Sequence, residues 1–327
     1  MKIASFFSGA GGLDLGFKKA GFELVYANDN WKGCKETFEK NHGVDLDLKS
    51  ITGVNYNEIP DVDGFVGGPP CQSWSLAGSM KGINDSRGKL FHDYVHLIEK
   101  KKPLFFLAEN VAGMLSDKHI SEFLKIIQKF ENIGYEVSFK LLNASDFGVP
   151  QDRLRVIIVG YSKNLGKKFE FPEPLKEKKY LKDSISDLPP PKEAKEKNKP
   201  NLDLEIANHE FMIGGFSTMY MSRNRVRSWD EHSFTIQAGG RHAPIHPQAP
   251  KMKFIEQNKR EFVKGKEHLY RRLSVRECAR IQTFPDDFIF YYNDVSDGYK
   301  MIGNAVPVNL AKVIALKIKE DLKNYTN

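Results

Sequence analysis

The chain has 327 residues, more than the roughly 100 to 200 of one ordinary domain, so a large domain with a smaller companion is expected. Its 40% hydrophobic and 28% charged residues fit a globular protein, and no apolar run approaches the roughly 18 residues a membrane helix needs, so no membrane partner is expected. The 49 basic residues exceed the 42 acidic ones to leave +7, which suits a polyanionic partner, and three scattered cysteines exclude a disulfide framework or a zinc knuckle.

The first apolar run, Ile3 to Phe7, predicts a strand that runs straight into Ser8-Gly9-Ala10-Gly11-Gly12. That run is too short for a secretory signal, so a cytoplasmic location is expected. Leu13 and Phe17 then recur at helical spacing, and a second strand, Leu24 to Asn28, leads into Asp29. A strand, a glycine loop, a helix and a later acid form a nucleoside-binding arrangement, because glycines admit the ligand to the backbone and the acid can hold ribose hydroxyls. The dinucleotide fingerprint fails where its third glycine would fall, at Asp14. A carboxylate there would repel a pyrophosphate, but it is compatible with a cationic nucleoside such as S-adenosylmethionine (AdoMet).

A strand over Gly64 to Gly67 opens into Gly68-Pro69-Pro70-Cys71-Gln72-Ser73-Trp74-Ser75. Two prolines pin the backbone ahead of a cysteine at the C-terminal end of a strand, where open α/β sheets bind ligands, so Cys71 is a candidate nucleophile. Phe91, Tyr94, Val95 and Ile98 mark a helix that ends before Pro103, and the strand Leu104 to Ala108 delivers Glu109, a candidate general acid, to the same sheet edge. Phe123, Ile126, Ile127 and Phe130 mark another helix, stopped at Gly134. Strands follow at Val137 to Leu142 and Val156 to Gly160. Ahead of the latter stands Gln151-Asp152-Arg153-Leu154-Arg155, where strand alternation would put Arg153 and Arg155 on one face. Lys163 to Asn201, dense in Lys and Glu and containing Pro189-Pro190-Pro191, reads as a linker. Ile206 to Phe262 has no long periodic segment and reads as an irregular, surface-reading domain. Helical spacing returns through Val308, Ala311, Ala315, Ile318 and Leu322.

In order and spacing, several of these blocks resemble the bacterial cytosine-5 DNA methyltransferase family: Phe7 to Gly12, Pro69 to Gln72, Asp85 to Phe91, Glu109 to Val111, Gln151 to Arg155, Arg272 to Arg280, and Gly303 to Val306. Met221 to Arg227 and His246 to Pro250 are similar to the recognition region of a GGCC-specific member. The resemblance implies an α/β fold: a Rossmann-like AdoMet-dependent methyltransferase sheet over 1–172, completed by 290–327, with a second, smaller, irregular target-recognition domain over 173–289. It implies Cys71 as nucleophile, Glu109 at ring nitrogen 3 of cytosine and Arg155 on the exocyclic oxygen, with Arg153 in the same catalytic block. AdoMet would be held by Phe7, Gly9, Gly11, Gly12, Asp29, Trp31, Ser50, Pro70, Leu90, Asn304 and Val306. DNA would be read by Arg225, Arg227 and Arg241, with Thr235 and Ile236 as the Thr-aliphatic element of the recognition domain. Double-stranded DNA is the implied partner, together with a cognate restriction endonuclease; no metal is implied, and a monomer is expected. An RNA cytosine methyltransferase is the alternative, against which stands the long region between Gln151 and Arg272. Two positions depart from the family's usual pattern: Asp29-Asn30, with Trp31 one place later, replaces Glu followed by an aromatic, and Lys49-Ser50 replaces Gly-Asp.

Overall fold

Apolar runs of four to nine residues alternate with amphipathic helices through the first half of the chain, a pattern that buries both faces of a parallel sheet. The computed structural model describes residues 1–70, 89–217 and 219–325. The chain divides into two compact units, Met1–Asn143 with Leu154–Pro174 and Leu310–Asn327, and Ala144–Arg153 with Leu175–Asn309. Residues 290–309, expected with the first domain, and 144–153 therefore cluster with the second unit.

The first unit holds a seven-stranded sheet of β1 (Lys2–Phe6), β2 (Glu23–Asn28), β3 (Leu46–Asp47), β4 (Gly64–Gly67), β5 (Phe105–Val111), β6 (Tyr135–Asn143) and β7 (Leu154–Ser162). Their order is β3-β2-β1-β4-β5-β7-β6. The pairs from β3 to β5 are parallel, whereas β7 runs antiparallel to both β5 and β6. This is the expected Rossmann-like sheet. The order reverses beside β1, so the crevice for a ligand falls beyond the C-terminal ends of β1 and β4.

Helices α1 (Gly12–Lys19), α2 (Lys35–His42), α3 (Lys89–Lys101) and α4 (Ile120–Asn132) accompany it, together with most of the chain's last helix. Phe6, Phe65, Phe91, Tyr94, Phe106 and Phe130 form part of one buried cluster, with Phe106 stacked on Phe130 at 4.0 Å. Phe17, Phe22 and Phe105 make a second aromatic group. Each such ring, fully buried, contributes on the order of 1.5–3 kcal/mol. Neither α2 nor β3 is marked in the sequence. The former buries only Thr37, Phe38 and His42 along a polar helix, and the latter has two residues, too few to display a period.

The second unit has sparse regular structure: α5 (Lys182–Ile185), β8 (Lys192–Glu193), β9 (Glu210–Phe211), β10 (Lys253–Glu256), β11 (Lys259–Glu261), α6 (Val275–Ile281) and α7 (Val295–Asn304). A small core of Val226, Ile245, Ala249, Met252 and Tyr270 sits among these loops. Part of the segment expected as a linker is anchored: Leu181 and Ile185 are buried, and the N–H groups of Leu181 and Lys182 donate to the Glu231 and Trp229 carbonyls. The last helix, α8 (Val308–Leu322), has the bounds its periodicity predicts. The apolar span formed by α7 and α8 is broken at Ala305-Val306-Pro307 and mostly buried, as core helices are.

Candidate active site and recognition residues

Beyond β1 the backbone turns through left-handed conformations at Phe7 (φ 54°), Gly9 (55°) and Gly11 (87°), which delivers the chain into α1. Asp29, just past β2, ties this loop down: its two oxygens accept the N–H groups of Gly9 (2.9 Å) and Trp31 (2.8 Å). The β2–β3 pairing brings up the next segment, since Asn28 Nδ2 donates to the carbonyls of Asp47 and Lys49. Ser50 follows, exposed, as the cap of a short helical turn. Phe7 and Leu90 pack against the same buried cluster, and Pro70 is half-buried after β4.

The loop also has a cradle and a buried acid. Among the described residues no heavy atom lies within 4 Å of where a β-carbon would stand on Gly9, which leaves room there for a ligand. A β-carbon on Gly11 would stand 2.0 Å from Nε2 of His42, whose buried ring is held neutral because burial pushes its pKa down to about 4. Asp14, in the first turn of α1, is buried, and neither carboxylate oxygen has a hydrogen-bond partner of good geometry among the described residues. Burial pushes its pKa up to about 6, against the pull of the Ser5 hydroxyl and the Lys18 ammonium. An open glycine cradle with a buried acid in the helix turn that follows it fits a nucleoside that carries positive charge. The role of His42 behind Gly11 is invisible in the sequence, because nothing local connects the end of α2 to the loop.

Parallel pairing of β4 and β5 places Gly67 opposite Ala108, so Gly68-Pro69-Pro70 and Glu109 emerge at one edge. Asn110 fixes that loop by donating Nδ2 to the Pro69 carbonyl at 2.9 Å, a contact the sequence reading did not anticipate. Across β5 and β7, Val111 stands opposite Arg155 and Glu109 opposite Ile157, which makes Glu109 and Arg155 diagonal neighbours on one face. Arg155 Nε lies 2.7 Å from Glu109 Oε1, with the two side chains 13% and 12% exposed. Cys71 lies outside the described residues.

Arg153 does not extend that face, because β7 begins only at Leu154. Its guanidinium is buried and donates to the carbonyls of Ile236 (3.0 Å), Gly303 (2.8 Å) and Ala305 (3.0 Å). Asn304 is exposed at the end of α7, and Val306 is buried two residues on. Among the described residues no group of three or more His, Cys, Asp or Glu could hold a metal ion.

In the second unit Arg225 donates Nε to the Tyr220 carbonyl (2.5 Å) and lies 4.2 Å over that ring. Arg227 lies 4.2 Å over Phe234 and reaches Asp152 and Glu231, each at 3.3 Å. Arg241 is exposed on the short turn Gly240–His242. Thr235 donates its hydroxyl to the Asp152 carbonyl (2.6 Å), and the N–H of buried Ile236 donates to Gln151 Oε1 (2.9 Å).

The profile described as C-5 cytosine-specific DNA methylase matches residues 1–320. Type II methyltransferase M.MthTI of Methanothermobacter thermautotrophicus is 64% identical over 328 residues, covering 100% of this chain and 99% of its own. Type II methyltransferase M.FnuDI of Fusobacterium nucleatum is 57% identical over 327 residues, with 98% and 95% covered. Among solved structures, the Entamoeba histolytica methyltransferase EhMeth superposes with a TM-score of 0.70 at 15% identity over 100% of this chain and 99% of that one, a likeness of fold.

Proposed function

Because the chain belongs to the C-5 cytosine-specific DNA methylase family, we propose that it is the modification enzyme of a Type II restriction-modification system, methylating carbon 5 of a flipped cytosine in the duplex site GGCC. Its methyl donor is AdoMet, which when bound supplies an electrophilic methyl group on a sulfonium. The open backbone at Gly9, the Asp29 carboxylate and the buried Asp14 fit that ligand, and Phe7, Gly11, Gly12, Trp31, Ser50, Pro70 and Leu90 belong to its proposed site.

Carbon 5 of cytosine is a poor nucleophile, and the protein's task is to change that. The Cys71 thiolate adds to carbon 6 while Glu109 supplies a proton at nitrogen 3, which turns the ring into an enamine nucleophilic at carbon 5. Once carbon 5 is methylated, loss of its proton and expulsion of the thiolate restore the aromatic ring and the free enzyme. Carbon 6 is out of reach within a stacked duplex, so the base must leave the stack. The observation that carries this reading is the Glu109–Arg155 pair beside the Pro-Pro loop, in which the guanidinium fixes one carboxylate oxygen; in the proposed mechanism Arg155 also holds the exocyclic oxygen of the base. Arg153 braces the second unit, where it donates to three carbonyls.

The proposed site rests on the similarity of Met221 to Arg227 and His246 to Pro250 to the GGCC-specific HaeIII methyltransferase, and on Arg225, Arg227 and Arg241 as guanine readers. A monomer acting in the cytoplasm, beside an endonuclease that cuts the same site, completes the proposal. Labelled AdoMet supplied with duplexes of differing sequence, followed by bisulfite mapping, tests it. Label is expected at a cytosine of GGCC, and label in tRNA but not in DNA would overturn it. Cys71→Ser is expected to lower transfer by more than about a thousandfold; transfer retained near the wild-type rate removes Cys71 from the mechanism.

A further inference from the structure

The Gln151-Asp152-Arg153 segment is knitted into the second unit by all three of its side chains. Gln151 accepts the Ile236 N–H and donates Nε2 to Gln282, and Arg153 holds Ile236 from the other side through its carbonyl. Between them, Asp152 is locked at its backbone: its N–H donates to the Ser233 carbonyl (3.0 Å), and its own carbonyl accepts the Thr235 hydroxyl (2.6 Å). The Asp152 carboxylate then points two ways. One oxygen lies 3.3 Å from a terminal nitrogen of Arg227, the other 3.2 Å from Nδ1 of His232, a ring stacked on Tyr180.

Arg227 is thereby gripped at both ends. Asp152 takes one terminal nitrogen, and Glu231 takes the other at 3.3 Å. Glu231 is anchored in turn, since it accepts the N–H (2.7 Å) and the hydroxyl (2.8 Å) of Ser228, bonds that push its pKa down to about 2 and keep it charged. The guanidinium plane rests on Phe234. A guanidinium has two hydrogens on each terminal nitrogen, so one carboxylate on each leaves a second donor on each. Two such donors match the paired acceptors O6 and N7 of guanine, but only if the plane is held at one angle.

We propose that Asp152 is a positioning residue for sequence recognition, setting the plane of Arg227 so that its remaining donors meet one base. This rests on the reading of Arg227 as a base reader. Asp152 touches no reacting atom in this role; it acts through Arg227.

The test compares methylation kinetics of the full-length wild type, Asp152→Asn, Asp152→Glu, Arg227→Ala and the double variant Asp152→Asn/Arg227→Ala. Each is assayed on a duplex carrying the site mapped by bisulfite and on duplexes with one guanine replaced. Asp152→Asn is expected to reduce discrimination at one position by roughly ten- to a hundredfold, carried by KM for the cognate duplex. Asp152→Glu should recover part of it, and adding Asp152→Asn to Arg227→Ala should cost nothing more, because the two act as one unit. A merely structural Asp152 would instead give additive losses, spread evenly over cognate and altered duplexes. That result, or wild-type discrimination by Asp152→Asn while Arg227→Ala loses it, overturns the proposal. Undiminished discrimination by Arg227→Ala identifies the failure as that of the base-reader premise.

Discussion

Asp14 does not behave as an ordinary carboxyl. An acid buried this deeply prefers to be neutral, and burial outweighs the pull of the Ser5 hydroxyl and Lys18 to hold its pKa at about 6, above the ordinary 3.8. The folded protein therefore holds this proton more tightly than the unfolded chain. The stabilisation it provides is complete below pH 3.8 and is lost as pH rises through about 6. Two units correspond to about 3 kcal/mol of destabilisation at alkaline pH. Asp14→Asn, neutral throughout, is expected to gain stability over the wild type between pH 5 and pH 8 by up to about 3 kcal/mol in cofactor-free urea unfolding. A difference that does not change with pH would show that burial of this charge is compensated. Its identity was informative in the sequence, because an acid in that turn argued against a phosphate ligand; its isolation was not, because solvation depends on what packs around the first turn of α1.

Among the elements, α7 illustrates packing that leaves no room for a side chain. A β-carbon on Gly303, in its last turn, would stand 2.3 Å from the backbone of Gln237, so the helix lies directly against the loop that carries Thr235 and Ile236. Gly303→Ala is expected to cost roughly 1–3 kcal/mol in urea unfolding through overpacking. Gly53→Ala, where nothing lies within 4 Å, serves as the control and should stay within about 0.5 kcal/mol. Equal effects at the two sites would remove the steric argument. Elements with strong periodicity, such as α4 and α8, were readable because their apolar positions recur on one face. Polar α2 was not, although its His42 backs the glycine loop, since Phe38 is the one apolar residue in its sequence and a single position displays no period.

At the scale of the whole chain, the excess charge of +7 should appear as counterion release. Affinity for duplex DNA is expected to fall linearly on a log–log plot against salt, with a slope near −0.9 for each phosphate neutralised. Binding independent of salt between low and physiological ionic strength would refute an electrostatic footprint. The sequence by itself determined the α/β sheet, the glycine loop and the reactive residue types, because each rests on local periodicity or on neighbours in the chain. Only the tertiary structure decided the company each side chain keeps. Arg153 and Arg155 look equivalent by alternation, yet the first is committed to Gly303, 150 residues away, and the second to Glu109 on the neighbouring strand. Likewise Arg227 meets Asp152 across 75 residues. Such pairings follow from strand register and loop packing, which no local period encodes.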